Sequence, residues 1–174
     1  MSTARNVHTS STLNNGKILV AGGYNGAILS SAQLYDPSTG IWSTIDSMIT
    51  PRKLHTSSVL TNGNILISGG HDGSHIAEIY DPVSGDWVLT GSMNCARSGH
   101  TASLLTNGYV LVAGGCSSGA FAELYNPSTG NWTITENMTD TRNFHTASVL
   151  TNGTVLVAGG KSNNGSYLAS AELY

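Results

Sequence analysis

The sequence predicts an all-β protein built from small four-stranded antiparallel sheets, one per internal repeat, stacked radially or in line. Three observations predict it. One unit recurs along the whole chain: HTASLLTNGYVLVAGG at residues 100–115 returns almost unchanged as HTASVLTNGTVLVAGG at 145–160. Each unit contains four short β-prone runs punctuated by Asn-Gly, Asp/Asn-Pro and glycine turns. No window has the length or the 3.6-residue period of a helix.

The spacing defines the organisation. His8, His55, His100 and His145 are separated by 47, 45 and 45 residues. Arg5, Arg52, Arg97 and Arg142 keep the same offsets, as do Met1, Met48, Met93 and Met138. The pairs Gly22-Gly23, Gly69-Gly70, Gly114-Gly115 and Gly159-Gly160 follow, then Tyr35, Tyr80, Tyr125 and Tyr174, then Trp42, Trp87 and Trp132. Such periodicity marks stacked repeats within one domain. We therefore expect a single domain over 1–174 with repeats at 1–47, 48–92, 93–137 and 138–174. The last repeat stops after its third strand, so a partial chain is expected.

Each strand has a local cause. HTASVLT is β-branched and small and ends at Asn152-Gly153, which predicts strand a and a two-residue type I′ hairpin. Val155–Ala158 is continuously apolar, as suits a strand b buried on both faces. Ala122–Tyr125 is strand c, stopped by Asn126-Pro127-Ser128-Thr129-Gly130, where proline removes a donor and glycine permits the turn. Strand d carries Trp132, Thr133 and Ile134. A two-residue turn centred on Asn107-Gly108 would place His100 opposite Gly115, and by the same count His8, His55 and His145 opposite Gly23, Gly70 and Gly160. Glycine there would give room for the ring.

Composition narrows the function. Charged residues are 10% of the chain and the net charge is −3, so nothing basic points to nucleic acid. No apolar stretch is long enough to span a membrane, and the start, MSTARNVHTSSTLNN, has no signal-peptide core. If Met1 is the true start, a cytoplasmic protein is expected. Four sequons, at Asn131, Asn137, Asn152 and Asn164, are about what chance gives in so Asn-, Ser- and Thr-rich a chain.

The pattern R-x-x-H, G-G, Y-D/N-P-x-S/T-G-x-W resembles the kelch repeat in every copy, apart from the missing end of the fourth. That resemblance implies a kelch-type β-propeller with one repeat per blade, strand a innermost and strand d outermost. It implies a non-enzymatic interaction module, with a protein as the expected partner and no cofactor. The alternative it implies is a carbohydrate-binding or enzyme-associated propeller of the galactose-oxidase type. The copper chemistry of those enzymes lies in added loops and a further domain, with no counterpart in these short loops.

On this reading the repeated residues serve the frame. The tryptophans are expected to pack between blades with the tyrosines, and the arginines to brace the loop entering strand a. The histidines are expected to bond within their own blades rather than hold a metal. Glu78, Glu123 and Glu172 recur on strand c as solvated or inter-blade residues. Cys95 and Cys116 stand out of line in the expected register. A bridge would need the loop to fold back until the Cα atoms lie within about 7 Å, so free thiols are expected. Gly159-Gly160-Lys161-Ser162 resembles the tail of a phosphate loop, but that motif needs glycine where Val155 stands and a helix afterwards.

Binding is expected where the copies disagree. The a–b and c–d turns are nearly identical between repeats, whereas the b–c loops read YNGAILS, HDGSHIA, CSSGAFA and KSNNGSYLAS. The d–a loops diverge too, and antiparallel strands put both divergent sets on one face. Candidate contacts are Tyr24, Asn25, His71, Asp72, His75, Phe121, Lys161 and Tyr167. Self-association through the exposed strand-c edge of the fourth blade is also expected.

Overall fold

The computed structural model of the protein describes residues 1–71 and 74–174. Among these, fifteen strands form four antiparallel sheets and there is no helix. The first sheet runs β1 (Thr9–Thr12), β2 (Ile18–Ala21), β3 (Ala32–Asp36) and β4 (Ile41–Ile45). The second runs β5 (Thr56–Val59), β6 (Ile65–Ser68), β7 (Ala77–Tyr80) and β8 (Trp87–Leu89). The third runs β9 (Thr101–Leu104), β10 (Val110–Ala113), β11 (Phe121–Asn126) and β12 (Asn131–Asn137). The fourth holds β13 (Thr146–Val149), β14 (Val155–Ala158) and β15 (Ala171–Leu173).

Spatial order equals chain order in every sheet, because short connections join antiparallel neighbours. The first strands β1, β5, β9 and β13 contact one another in succession. The architecture is therefore a β-propeller with three complete blades and a partial fourth.

The inner hairpin differs from the expected register by one residue. Thr101 pairs with Ala113 and Leu104 with Val110; Thr146 pairs with Ala158 in the same way. The Leu105 N–H donates to Tyr109 O at 2.8 Å and the Gly108 N–H to Leu105 O at 2.9 Å. The loop thus has three residues, Thr106-Asn107-Gly108, with a left-handed φ of 84° at Gly108 and none at Asn107. This is a type I turn closed by a glycine bulge, not the two-residue I′ turn, and only the glycine needs positive φ. The histidine consequently falls level with the first glycine of each pair rather than with Gly23, Gly70, Gly115 or Gly160.

The core lies between blades. Between the first two, Leu13, Leu19, Ala21 and Ala32 pack on Met48, Ile65, Ile67 and Tyr80, all at 3% exposure or less. Equivalent clusters lie between the second and third blades and between the third and fourth. Strand b is apolar except for Ser68 because one side chain faces the preceding blade and the next faces the following one. Within each complete blade the tyrosine and tryptophan rings pair, with centroids 5.0 Å apart for Tyr35–Trp42, 4.8 Å for Tyr80–Trp87 and 4.9 Å for Tyr125–Trp132. Each indole N–H reaches the preceding blade where one is present: Trp87 Nε1 donates to Asp46 O at 2.9 Å and Trp132 Nε1 to Gly91 O at 2.7 Å.

The cysteines depart from expectation. Cys95 and Cys116 form a disulfide with Cα atoms 5.9 Å apart, and neither is free. The d–a loop folds back because Glu123, buried on strand c, draws it in: its carboxylate accepts the N–H groups of Asn94 at 2.6 Å and Cys95 at 3.1 Å.

Two outcomes follow from this packing. Trp87→Ala should destabilise the chain by about 3 kcal/mol, the lower end for aromatic truncation because the ring is only partly buried. Chemical denaturation checks it, and an unchanged midpoint would refute the inter-blade role. Cys95→Ser should cost about 3 kcal/mol, the chain-entropy value for a closed loop of this size. Thiol titration of the unfolded, unreduced protein should find no free thiol.

Candidate functional site

Each blade opens at one end of its inner hairpin, and the opening is where the next blade attaches. Gly22 and Gly23 both take left-handed φ, 64° and 107°, and so do the pairs at 69–70, 114–115 and 159–160. A side chain at Gly22, Gly69 or Gly114 would strike the imidazole Cε1 of the next blade's histidine, within 2.6–2.7 Å. A side chain at Gly23 or Gly115 would instead strike its own blade's His8 or His100 Cβ. The two glycines therefore make room for different blades.

The freed backbone groups are used across the same junction. Gly23 N donates to Arg52 O at 2.7 Å, Gly70 N to Arg97 O at 2.8 Å and Gly115 N to Arg142 O at 2.8 Å. The guanidiniums turn inward to their own blade. Arg97 donates to Gly114 O at 2.7 Å, Phe121 O at 2.8 Å and Glu123 Oε1 at 2.9 Å, with both ionic side chains fully buried. Arg52 and Glu78 pair likewise at 2.6 Å, and Arg142 and Glu172 at 2.5 Å. Glu78 and Glu123 are thus buried clamps rather than solvated groups. In the first blade Gln33 stands at the carboxylate's position, and Arg5 keeps the equivalent backbone acceptors, Gly22 O and Ser31 O.

The histidines bond across blades, not within them as expected. His55, His100 and His145 each set Nε2 2.9 Å from the threonine Oγ1 of the preceding blade: Thr9, Thr56 and Thr101. Burial, then the neighbouring Arg52 or Arg97, lowers the imidazoles of His55 and His100 to about 3, and burial with Arg142 lowers His145 to about 4. These rings stay neutral near pH 7 and act as fixed struts. Among the described residues no three or more His, Cys, Asp or Glu side chains are placed so that they could hold a metal ion together.

Above the histidines the residues preceding them line the channel mouth. Val7, Leu54 and Phe144 have left-handed φ of 46°, 57° and 53°, with Gly99 at 62°. Such a conformation is costly for a β-branched or bulky residue. It is held by a backbone chain across the blades: Leu54 N to Val7 O at 3.1 Å, Gly99 N to Leu54 O at 3.1 Å, Phe144 N to Gly99 O at 2.7 Å. Val7, Leu54, Gly99 and Phe144 form the rim of a cavity floored by the four histidines. Val7 is 43% exposed and Phe144 65%.

The sequence-predicted contacts fall around this mouth unevenly. Tyr24 lies under Lys53, with Nζ 4.4 Å from the ring centroid, and bridges to Asn6; Asn25 is exposed beside it. His71 and His75 share a groove with Ile28, Thr50 and Pro51 between the first two blades. Asp72 lies outside the described residues. Lys161 and Tyr167 face each other, 5.9 Å from ammonium to ring, with Tyr167 86% exposed. Lys161 also joins Ser117, Asn143, Phe144 and Asn163 in a polar cleft between the third and fourth blades. Phe121 opens strand β11 half-buried, with its ring against Gly119 of the b–c loop and 5.4 Å from the Arg97 guanidinium, and its carbonyl is that arginine's acceptor.

Val7, Leu54, Phe144, Lys53, Asn143 and Asn163 were not singled out from the sequence. A signal for the first five existed. The two residues inside R-x-x-H read Asn-Val, Lys-Leu, Ser-Gly and Asn-Phe, varying between two fixed neighbours.

The buried histidines predict an acid response. Above about pH 6.5 both folded and unfolded chains hold neutral imidazoles and stability does not change on their account. Below it only the unfolded chain takes up protons, so stability falls with pH until about pH 3. At pH 5 the loss is about 2 kcal/mol for each of His55 and His100. Thermal melts between pH 7 and 4 should show the decline, and His100→Gln should make it shallower.

Comparison with known families places the kelch motif on residues 5–49 and 52–94, the first two repeats and just over half of the chain. A search of curated proteins finds no match. No helix among the described residues is long and apolar enough to cross a membrane. Matched sequence and four consecutive antiparallel blades agree, and the chain belongs to the kelch-repeat family.

Proposed function

We propose that this kelch-repeat chain is a non-enzymatic protein-binding module whose contact surface is the loop face around the channel mouth. Kelch repeats typically mediate protein–protein interaction. The observation that carries the choice of face is its contrast with the opposite one. On the loop face, Val7, Leu54 and Phe144, which differ from blade to blade, line a rim whose backbone is held by hydrogen bonds, and Tyr24, Lys161 and Tyr167 stand on the variable loops that follow strand b. On the other face the hairpin turns repeat almost unchanged. A rigid frame presenting exposed aromatic and apolar groups loses little entropy on binding. The buried arginines and histidines belong to the frame and make no ligand contact in this reading.

A second reading, glycan binding, is favoured by the cleft between the third and fourth blades. There Asn143 Nδ2 donates to Asn163 Oδ1 at 3.0 Å beside the exposed Phe144 ring, and Tyr167 stands nearby on the same loop. Amide groups beside aromatic faces suit sugar hydroxyls and ring C–H groups.

Affinity capture with the purified chain tests both. Partners should be retained by wild type and by a turn-face variant, Asn62→Ala, and lost with Phe144→Ala plus Tyr167→Ala. Equal retention by all three would refute the loop face. Displacement by free oligosaccharide would replace the first reading with the second.

A further inference from the structure

The disulfide belongs to the third blade, which has a blade on either side of it, and no other blade has cysteine at these positions. The equivalents of Cys95 and Cys116 are Thr3 and Tyr24, Thr50 and His71, and Asp140 and Lys161. Both cysteines are buried, and they tie the d–a loop to the b–c loop over a sequence separation of 21 residues.

The first and fourth blades make the same tie with backbone. There a residue entering strand a exchanges two hydrogen bonds with the first residue of the b–c loop. Asn6 and Tyr24 do so at 3.0 and 2.9 Å, and Asn143 and Lys161 at 2.8 Å in both directions. In the third blade the register slips by one residue. Ser98 N donates to Gly115 O at 3.1 Å, and Arg97 rather than Ser98 lies opposite Cys116. The disulfide thus stands where the other blades use a backbone pair.

The loop it holds is one wall of the cleft between the third and fourth blades. Asn163 Nδ2 donates to Cys116 O at 3.2 Å and Ser117 O at 3.3 Å. Its Oδ1 accepts from Asn143 Nδ2 at 3.0 Å, and its N–H reaches Thr141 Oγ1 at 3.1 Å. Asn143 is followed by Phe144, whose left-handed backbone lies on the rim. Polar contacts therefore run from the disulfide loop through Asn163 to the rim.

We propose that the Cys95–Cys116 disulfide is the positioning element of this cleft. It holds the carbonyls of Cys116 and Ser117 where Asn163 meets them, and Asn163 in turn sets Asn143 and Phe144. The cleft is then set only after oxidation. The two thiols give up two protons and two electrons to a disulfide oxidant, which leaves as two thiols while the S–S bond forms. Burial keeps the bond from ready exchange, so it is a lasting brace. Its use in binding rests on the loop-face function proposed above; the positioning itself does not.

Amide hydrogen exchange on the 174-residue chain tests this without a partner. In Cys95→Ser plus Cys116→Ser, exchange at 141–144 and 161–166 should rise at least about tenfold more than at the equivalent loops of the first blade, 4–7 and 24–29. Asn163→Ala, which keeps the disulfide, should loosen 141–144 and 161–166 similarly and leave 94–96 within about twofold of wild type. Faster exchange confined to 94–96 and 116–121 would make the bridge a local staple, and an equal rise in both blades a global one. Either result overturns the proposal, as does an Asn163→Ala chain that exchanges like wild type. Loosening with partner capture unchanged would uphold the positioning role and count against this cleft as the contact.

Discussion

Every junction between blades turns on an arginine whose two ends serve different blades. Its carbonyl receives the N–H of the preceding blade's second glycine, while its guanidinium holds its own blade's b–c loop at both ends. In the second and third blades a carboxylate buried at 0% exposure completes the arrangement. An ionic pair so far from water is tolerable only when its remaining donors and acceptors are met. The carboxylates are met by backbone: Glu78 accepts from Ile49 N and Thr50 N, and Glu123 from Asn94 N and Cys95 N, while Arg52 Nε is left without a partner among the described residues. The clamp therefore fixes the path by which the chain leaves one blade and enters the next.

The glycine pairs, the left-handed residue before each histidine and the histidine–threonine contacts all follow from that path. Two backbones approach where a Cβ would overlap the next blade's ring, so both glycines flip, and the facing strand flips with them at Val7, Leu54, Gly99 and Phe144. What looked like a site, a histidine with paired glycines, is a joint. The side chains displaced upward by the joint make the rim that the proposed function uses. The proposed binding face and the scaffold are thus two consequences of one backbone distortion.

Legibility in the sequence varied with the range of the interaction. The strands were legible residue by residue, since alternating or continuous apolar runs and Asn-Gly, Asn-Pro and glycine punctuation act locally. The hairpin register was not. Asn-Gly suits both a two-residue I′ turn and a three-residue turn with a glycine bulge, and the choice reversed the partner of each histidine. The candidate contacts were legible as a face but not as a set. Lys161 and Tyr167 meet, His71 and His75 share a groove, and Phe121 is claimed by Arg97. Phe144 and Val7 were hidden inside a motif that looked fixed because its outer residues are.

By itself the sequence determined the repeat, the four-strand unit, the family and the side of the blades on which variation gathers. These depend on spacing and on the short-range preferences of turns and β-branched residues. Tertiary structure alone decided which blade each histidine serves, that Glu78 and Glu123 are buried, and that Cys95 reaches Cys116. Those outcomes depend on how closely one blade is pressed against the next. That distance is set by the buried arginine and the glycines that admit it, not by any residue's own neighbours in the chain.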